Sequence, residues 1–139
     1  MKKIFKRDAQ IHLGDTDATG VLYFPRQFEI ATQTFELYLK KNNFSLGELV
    51  GKNNFSIPVV HAEADFFSPL FLGDEIRISL TVLKMGEKSF TTHFEFSSPI
   101  LKTIVGSVTL VHVAVSKESK QSIPIPEKLL GILKELLPS

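Results

Sequence analysis

A single long stretch with helical periodicity, followed by segments that alternate with a period of two, most constrains how this chain folds. Between Pro25 and Lys41, apolar residues recur every three or four positions, which predicts an amphipathic helix. The stripe comprises Phe28, Ala31, Phe35 and Leu39, widened by Ile30 and Leu37. Proline suits the first turn, where its missing N–H has no intrahelical partner. The width of the stripe predicts a largely buried helix.

The second half of the chain alternates apolar and polar residues, as strands with one buried face do. Residues 76–82 and 90–96 follow this pattern, and Met85–Lys88 between them predicts a hairpin turn. The other predicted elements are strands at Ile4–Leu13, Ile57–Phe67 and Leu101–Val115, the last covered on both faces, and helices at Ser45–Gly51 and after Pro126. One buried helix and about five strands predict an α+β fold, in which an antiparallel sheet wraps around the long helix.

Length and composition limit the possible functions. A chain of 139 residues with 43% hydrophobic and 22% charged residues predicts one domain, 1–139, with a full core. The net charge of +1 argues against a nucleic-acid partner. The absence of cysteine excludes disulfides, thiolate nucleophiles and cysteine-based metal sites. No signal peptide and no run of about 18 apolar residues is evident, so we expect a cytoplasmic protein without a membrane span.

The loop from Gly14 to Pro25 concentrates chemically useful groups. It carries two carboxylates, Asp15 and Asp17, and it leads into the start of the long helix. Unpaired N–H groups at a helix start can bind an oxyanion or polarise a carbonyl, and a neighbouring carboxylate can attack that carbonyl or activate water. The alternative is an ordinary loop in which the Asp side chains accept hydrogen bonds from their own backbone.

The same segment resembles the signature of the 4-hydroxybenzoyl-CoA thioesterase family of hotdog-fold proteins. From Asp15 onward the pattern is Asp-x-Asp-x-x-Gly, followed by two apolar residues and an aromatic one. Later segments resemble further landmarks of that family in the same order: Ile57–Phe66, Pro69, Gly73–Asp74, Lys88–Phe90 and Ile123–Pro126. The resemblance covers nearly the whole chain.

The resemblance implies a role for each residue of the first segment. Asp17 matches the family's catalytic carboxylate, acting as a nucleophile or as a general base for water, and Asp15 would be its supporting partner. The carbonyl-polarising donor would be the backbone N–H of Phe24. Gly20, lacking a Cβ, would let the backbone pass close to the substrate. Apart from the resemblance, the aromatic residues of the chain are most simply core residues, although Tyr23 and Phe24 could border a pocket for an aromatic acyl group.

The resemblance also implies the activity. We expect a hotdog-fold enzyme that hydrolyses an acyl-CoA thioester, assembled as a homodimer or homotetramer and using no cofactor, since CoA is part of the substrate. Within the family the chain looks most like the thioesterases that act on 1,4-dihydroxy-2-naphthoyl-CoA in phylloquinone biosynthesis. The alternatives are a thioesterase for aliphatic acyl-CoA or acyl-carrier-protein substrates, and a non-catalytic module that binds acyl thioesters.

Three polar residues of one predicted strand, His61, Glu63 and Asp65, share a face. His61 could bind a hydroxyl of an aromatic acyl group with help from Glu63; alternatively all three make structural hydrogen bonds at a subunit interface, which we favour for Asp65. We expect no metal site, because ligands usually come from more than one element.

A Lys-Ser pair, Lys88 and Ser89, matches residues that in the family help to hold the CoA phosphates. A lysine is a competent phosphate binder. Gly86 and Glu87 make this stretch less basic than is usual there, so Lys120 is a second candidate, although a solvated turn is the simpler interpretation of that lysine.

Overall fold

A computed structural model describes residues 3–44, 47 and 54–138 of the chain. Its main sheet has five antiparallel strands in the order β1-β4-β5-β6-β3. These strands are β1 (Phe5–Gln10), β3 (Val59–Phe66), β4 (Glu75–Met85), β5 (Ser89–Ser97) and β6 (Ile104–Val113). Two short strands, β2 (Phe55–Ser56) and β7 (Val115–Ser116), pair in a separate ribbon. The predicted α+β architecture with an antiparallel sheet is therefore confirmed.

The long helix α1 (Phe24–Lys41) packs on one face of the sheet against β4 and β6. Its buried residues are Gln27, Ile30, Ala31, Thr34, Phe35, Tyr38 and Leu39. They face fully buried side chains of the central strands, including Ile78, Leu80, Phe94 and Phe96. Leu37 is 40% exposed, so its predicted place in the stripe is wrong. The sheet covers only one side of the helix, and Leu37 lies outside that side.

The second helix α2 (Glu127–Lys134) closes the core beside α1. Leu129 and Leu133 are fully buried, and the Tyr38 hydroxyl donates a 2.6 Å hydrogen bond to the carbonyl of Ile132. The short helix predicted at 45–51 lies outside the described residues apart from Gly47.

Two predicted strands are shorter than expected. β1 ends at Gln10 because Leu13–Asp15 forms a turn of 3-10 helix, in which Leu13 is 73% exposed. β6 begins at Ile104 and is buried on consecutive residues only at 105–108, so full cover on both faces holds only there.

β3 forms one edge of the sheet and, among the described residues, pairs only with β6. All of its side chains except that of Ala64 are exposed. An edge strand presents unpaired N–H and C=O groups, and it is a ready template for pairing with another chain.

Across the described parts of the chain, no helix is both long enough and apolar enough to cross a bilayer.

Candidate active site

The loop between β1 and α1 folds back on itself and docks against the segment that follows β3. The amide of Asp17 donates to the Val21 carbonyl at 2.9 Å, and the Leu22 amide donates to the Leu70 carbonyl at 2.7 Å. Gly20 has a φ of +80° at the tip of this turn, a conformation that favours glycine. The turn therefore requires Gly20 for its backbone angle, a reason other than the close approach expected from the sequence.

Asp15 is a buried carboxylate that ties the loop to the first turn of α1. One oxygen, Oδ2, accepts the His12 amide at 2.9 Å, and the other, Oδ1, accepts Nε and Nη2 of Arg26 at 3.1 and 2.6 Å. Its backbone carbonyl accepts the Tyr23 amide at 2.9 Å. Burial raises the pKa of Asp15, but the hydrogen bonds from His12 and Arg26 outweigh it, so the pKa lies below its usual value. Asp15 is thus a charged residue whose hydrogen bonds hold the loop against the first turn of α1.

Asp17 lies on the exposed side of the loop. Its Oδ1 accepts hydrogen bonds from the Thr19 hydroxyl at 2.5 Å and the Thr19 amide at 2.8 Å, and these hold its pKa below the usual value. The alternative interpretation expected Asp side chains that accept hydrogen bonds from their own loop, and Asp17 does so. Both bonds from Thr19 use Oδ1, and the amides of Val21 and of Asp17 itself also lower the pKa, so the carboxylate is an oriented anion at neutral pH.

The first amide of α1 is an unpaired donor. Tyr23 is the N-cap, Phe24 is the first helical residue, and Pro25 follows with no N–H of its own. In the described part of the chain the Phe24 N–H donates to no acceptor. This N–H lies at the positive end of an 18-residue helix, so it can stabilise a carbonyl oxygen that gains negative charge.

A cavity of about 320 Å³ opens beside this helix start. Its lining is mostly apolar and includes Val21, Leu22, Phe24, Phe66 and Leu70. The rings of Phe24 and Phe66 meet edge to face, with centroids 6.3 Å apart. Phe24 therefore borders a cavity that contains a second aromatic ring, whereas Tyr23 is outside this lining and its ring centroid lies 5.6 Å from that of Phe24.

A neighbouring cavity of about 440 Å³ shares the segment Ser68–Leu70. Asp74 and Glu75 line it, so its charge does not favour the phosphates of CoA.

Asp15, Asp17 and Gly20 lie on the loop that leads into α1 but are not part of the lining of the 320 Å³ cavity, and the remaining candidates are not part of it either. His61 and Glu63 are exposed on β3, where His61 Nε2 lies 3.2 Å from Glu63 Oε1. Among the described residues, no third side chain completes a metal-binding cluster around them. Asp65 accepts a 3.4 Å hydrogen bond from the Ser107 hydroxyl on β6, a contact within the chain.

Lys88 and Ser89 lie at the far end of the sheet. The active-site loop adjoins the beginning of β4, while Lys88 follows its end; the 11 residues of β4 span roughly 35 Å. Lys88 is exposed and Ser89 is half-buried. Lys120 is exposed in a turn with a φ of 64°, in agreement with the simpler interpretation of that residue.

Two polar residues on α1 that sequence reasoning missed are part of this region. Arg26 holds Asp15, and Gln27 is 2% exposed and lines the 320 Å³ cavity. Gln27 stands at the start of the series Gln27, Ala31, Thr34 on the buried face of α1. The sequence did contain an indication of this role, because Gln27 is a long polar side chain at a position where helical spacing predicts the mostly apolar buried face.

Comparison with known proteins decides the family. A model of the thioesterase-like superfamily matches residues 11–133. The chain belongs to this superfamily. The expected hotdog thioesterase family is therefore confirmed.

Two curated members of the superfamily illustrate the similarity. The 1,4-dihydroxy-2-naphthoyl-CoA hydrolase of Rippkaea orientalis is 34% identical over 125 residues, covering 89% of this chain and 91% of that one. The hydrolase of the same name from Synechocystis is 28% identical over 123 residues, covering 88% and 89%. The crystal structure of the 1,4-dihydroxy-2-naphthoyl-CoA thioesterase from Synechocystis superposes with a TM-score of 0.91 at 26% identity, covering 96% and 98%.

Proposed function

We propose that this thioesterase-superfamily protein hydrolyses aromatic acyl-CoA thioesters, with 1,4-dihydroxy-2-naphthoyl-CoA as the substrate. Curated relatives that align along most of both chains carry this activity in their names. The observation that carries the proposal within this molecule is the unpaired Phe24 N–H beside an aromatic-lined cavity. The Asp17 carboxylate lies on the loop that leads into this helix start, outside the lining of the cavity.

The proposed reaction begins with the thioester carbonyl oxygen accepting a hydrogen bond from the Phe24 amide. This interaction strengthens as negative charge develops on the oxygen, so it lowers the barrier rather than merely binding the substrate. Asp17 then attacks the carbonyl carbon, or takes a proton from the water that does so. The tetrahedral intermediate collapses with departure of the CoA thiolate. Attack by water leaves the free acid directly, whereas attack by Asp17 leaves a mixed anhydride, which water then hydrolyses to the acid and the Asp17 carboxylate. Asp15 and Arg26 act only by holding the loop, and no cofactor beyond the CoA of the substrate is part of this proposal.

The substitution Asp17→Asn tests the role of the carboxylate. Asn retains an oxygen that accepts the two hydrogen bonds from Thr19, so the loop and CoA binding should persist. We expect kcat to fall by on the order of a thousandfold, about 4 kcal/mol in transition-state stabilisation. Asp74→Asn is the matched control, because Asp74 also accepts a backbone amide, that of Phe71, but has no proposed part in the reaction. Near-normal turnover by a folded Asp17→Asn protein contradicts the assignment.

Single-turnover hydrolysis in oxygen-18 water separates the two roles of Asp17. Label entering the Asp17 carboxylate indicates an anhydride intermediate. Label found only in the product acid favours direct attack by water.

We also propose that the site is completed in a homodimer, or in a homotetramer built from two such dimers, through the exposed edge of β3. A two-fold axis beside an antiparallel edge reverses the second sheet, so the Lys88 end of one chain would lie near the active-site loop of its partner. This arrangement supplies the CoA-binding lysine that the single chain keeps far away. Sedimentation at assay concentration should give twice the 15.6 kDa mass of the chain, or four times it; a monomer contradicts the proposal. The cytoplasmic location stays a prediction, which fractionation of cells would test.

A further inference from the structure

Gln27 joins the start of α1 to the sheet through its side-chain amide. Its Nε2 lies 3.1 Å from the carbonyl oxygen of Asp65 on β3 and 3.1 Å from that of Ser107 on β6. A Cβ at Gly106 would lie about 3 Å from both atoms of this amide, so the glycine gives it space. The side chain is 2% exposed and therefore has little freedom to adopt another position.

The two carbonyl neighbours determine which way the amide faces. A carbonyl oxygen only accepts hydrogen bonds, so the NH₂ group must point at Asp65 and Ser107, and both of its protons are used there. The reverse orientation would place an oxygen against two oxygens. The Oε1 atom of Gln27 lies beside Gly106 of β6, away from the two carbonyl oxygens, and it accepts no hydrogen bond from the described residues.

The Oε1 atom of Gln27 is not completely buried. Among the described residues, Nε2 of His112 is the only fully buried side-chain polar atom without a hydrogen-bond partner. Oε1 of Gln27 also lacks a partner, so it is not fully buried. Gln27 lines the cavity of about 320 Å³ together with Phe24 and Phe66. Apart from Gln27, the sole polar side chain in that lining is Ser68. The mostly apolar lining therefore contains a side chain held in place by two strands, whose acceptor oxygen has no partner among the described residues.

We propose that Gln27 determines specificity for a hydroxylated aromatic acyl group, by accepting a hydrogen bond from a ring hydroxyl through Oε1. This inference rests on the proposed function. In this proposal the rings of Phe24 and Phe66 contact the aromatic ring of the acyl group, and the amide oxygen of Gln27 accepts a hydrogen bond from the ring hydroxyl. Because the oxygen can accept but not donate, it favours a hydroxyl over a hydrogen atom, a methoxy group or a carboxylate. His61, the residue expected to bind such a hydroxyl, is paired with Glu63 outside this cavity.

The expected discrimination is moderate because one neutral acceptor is involved. Leaving a buried acceptor unpaired, or displacing it with a methoxy group, lowers kcat/KM by about 10- to 100-fold.

Paired thioesters test the inference on the unmodified enzyme. We would measure kcat/KM for 2-naphthoyl-CoA, its 1-hydroxy and 4-hydroxy derivatives, and the matching methoxy compounds. At least one hydroxy compound should exceed both its parent and its methoxy analogue by 10- to 100-fold. Hydrolysis of all of them at rates within about threefold refutes the role of Gln27 and leaves the proposed function intact. Failure to hydrolyse any of them or 1,4-dihydroxy-2-naphthoyl-CoA refutes both.

The variant Gln27→Met, of similar length but without acceptor or donor, shows which residue is responsible. Its hydroxyl preference should fall to within about threefold, while Ser68→Ala, the matched control in the same lining, should keep the wild-type preference. A folded Gln27→Met enzyme that keeps the preference overturns the inference. Because this variant also loses the bonds to Asp65 and Ser107, it can fail to fold. In that event the wild-type side-chain amide resonances of Gln27 decide. They should shift with 1,4-dihydroxy-2-naphthoate and not with 2-naphthoate, and equal shifts with both acids overturn the inference.

Discussion

Replacing Arg26 with methionine should destabilise the fold by leaving the Asp15 carboxylate without its cationic partner. The Asp15 side chain is 10% exposed and that of Arg26 is 29% exposed, so solvent screens this pair only in part. The substitution removes two charge-assisted hydrogen bonds, of 2.6 and 3.1 Å, and keeps the one from the His12 amide. The carboxylate thus remains charged, mostly buried and under-satisfied.

The expected cost follows from these contacts. Hydrogen bonds to charged groups contribute about 1.5–3 kcal/mol, and removal of one partner of a fully buried pair costs about 3–5 kcal/mol. Since Asp15 keeps one bond and some solvent contact, we expect a loss of about 3 kcal/mol in the free energy of unfolding. For 139 residues the entropy of unfolding is about 0.3 kcal/mol/K, so Tm should fall by about 10 °C.

Urea unfolding of Arg26→Met measures this loss, and Glu29→Gln is the matched control. Glu29 is the other ion-pair partner of Arg26, but its side chain is 55% exposed. Its loss should therefore cost less than about 0.5 kcal/mol. In a double-mutant cycle, Asp15→Asn should recover part of the loss in Arg26→Met, because it removes the unpaired charge. If Arg26→Met and Glu29→Gln unfold at the same urea concentration, Arg26 does not stabilise the loop as argued.

Two further predictions concern stability. Burial between aromatic rings lowers the pKa of His112 below 6.5, although its hydrogen bond to the Ile57 carbonyl opposes this shift. The unfolded chain therefore binds the proton more readily than the folded one. The free energy of unfolding should consequently fall as the pH falls below about 6.5. Urea unfolding at pH 5 and 7.5 should show that His112→Phe removes this contribution, and an unchanged pH dependence would contradict it. Gly106→Ala should lower the free energy of unfolding by about 2 kcal/mol, because its Cβ would lie 2.9 Å from the Asp65 carbonyl oxygen. The control Gly131→Ala lies in a helix with open space around the new Cβ, so it should stabilise the fold by up to about 1 kcal/mol. Equal unfolding midpoints of the two variants would refute the steric argument.

The predictions from local sequence pattern match the structure closely. The helix predicted from Pro25 to Lys41 is Phe24–Lys41, and the hairpin turn lies between Met85 and Ser89 as expected. Helical and strand periodicities, and the proline in the first turn, act over a few residues, so the sequence alone reveals them. The Asp-x-Asp-x-x-Gly pattern likewise carried the family assignment, which the match over residues 11–133 confirms.

Contacts between distant segments could not be predicted in this way. Leu37 fits the helical stripe but is exposed, because the position of the sheet decides which side of α1 is covered. Gln27 is 38 residues from Asp65 and 80 from Ser107, yet all three meet where α1 crosses β3 and β6. The sequence by itself determined the elements, the family and the loop that carries Asp17. Only the tertiary structure decided that Arg26 neutralises Asp15 and that Gln27 lines the pocket, since such contacts depend on how the sheet and helix pack.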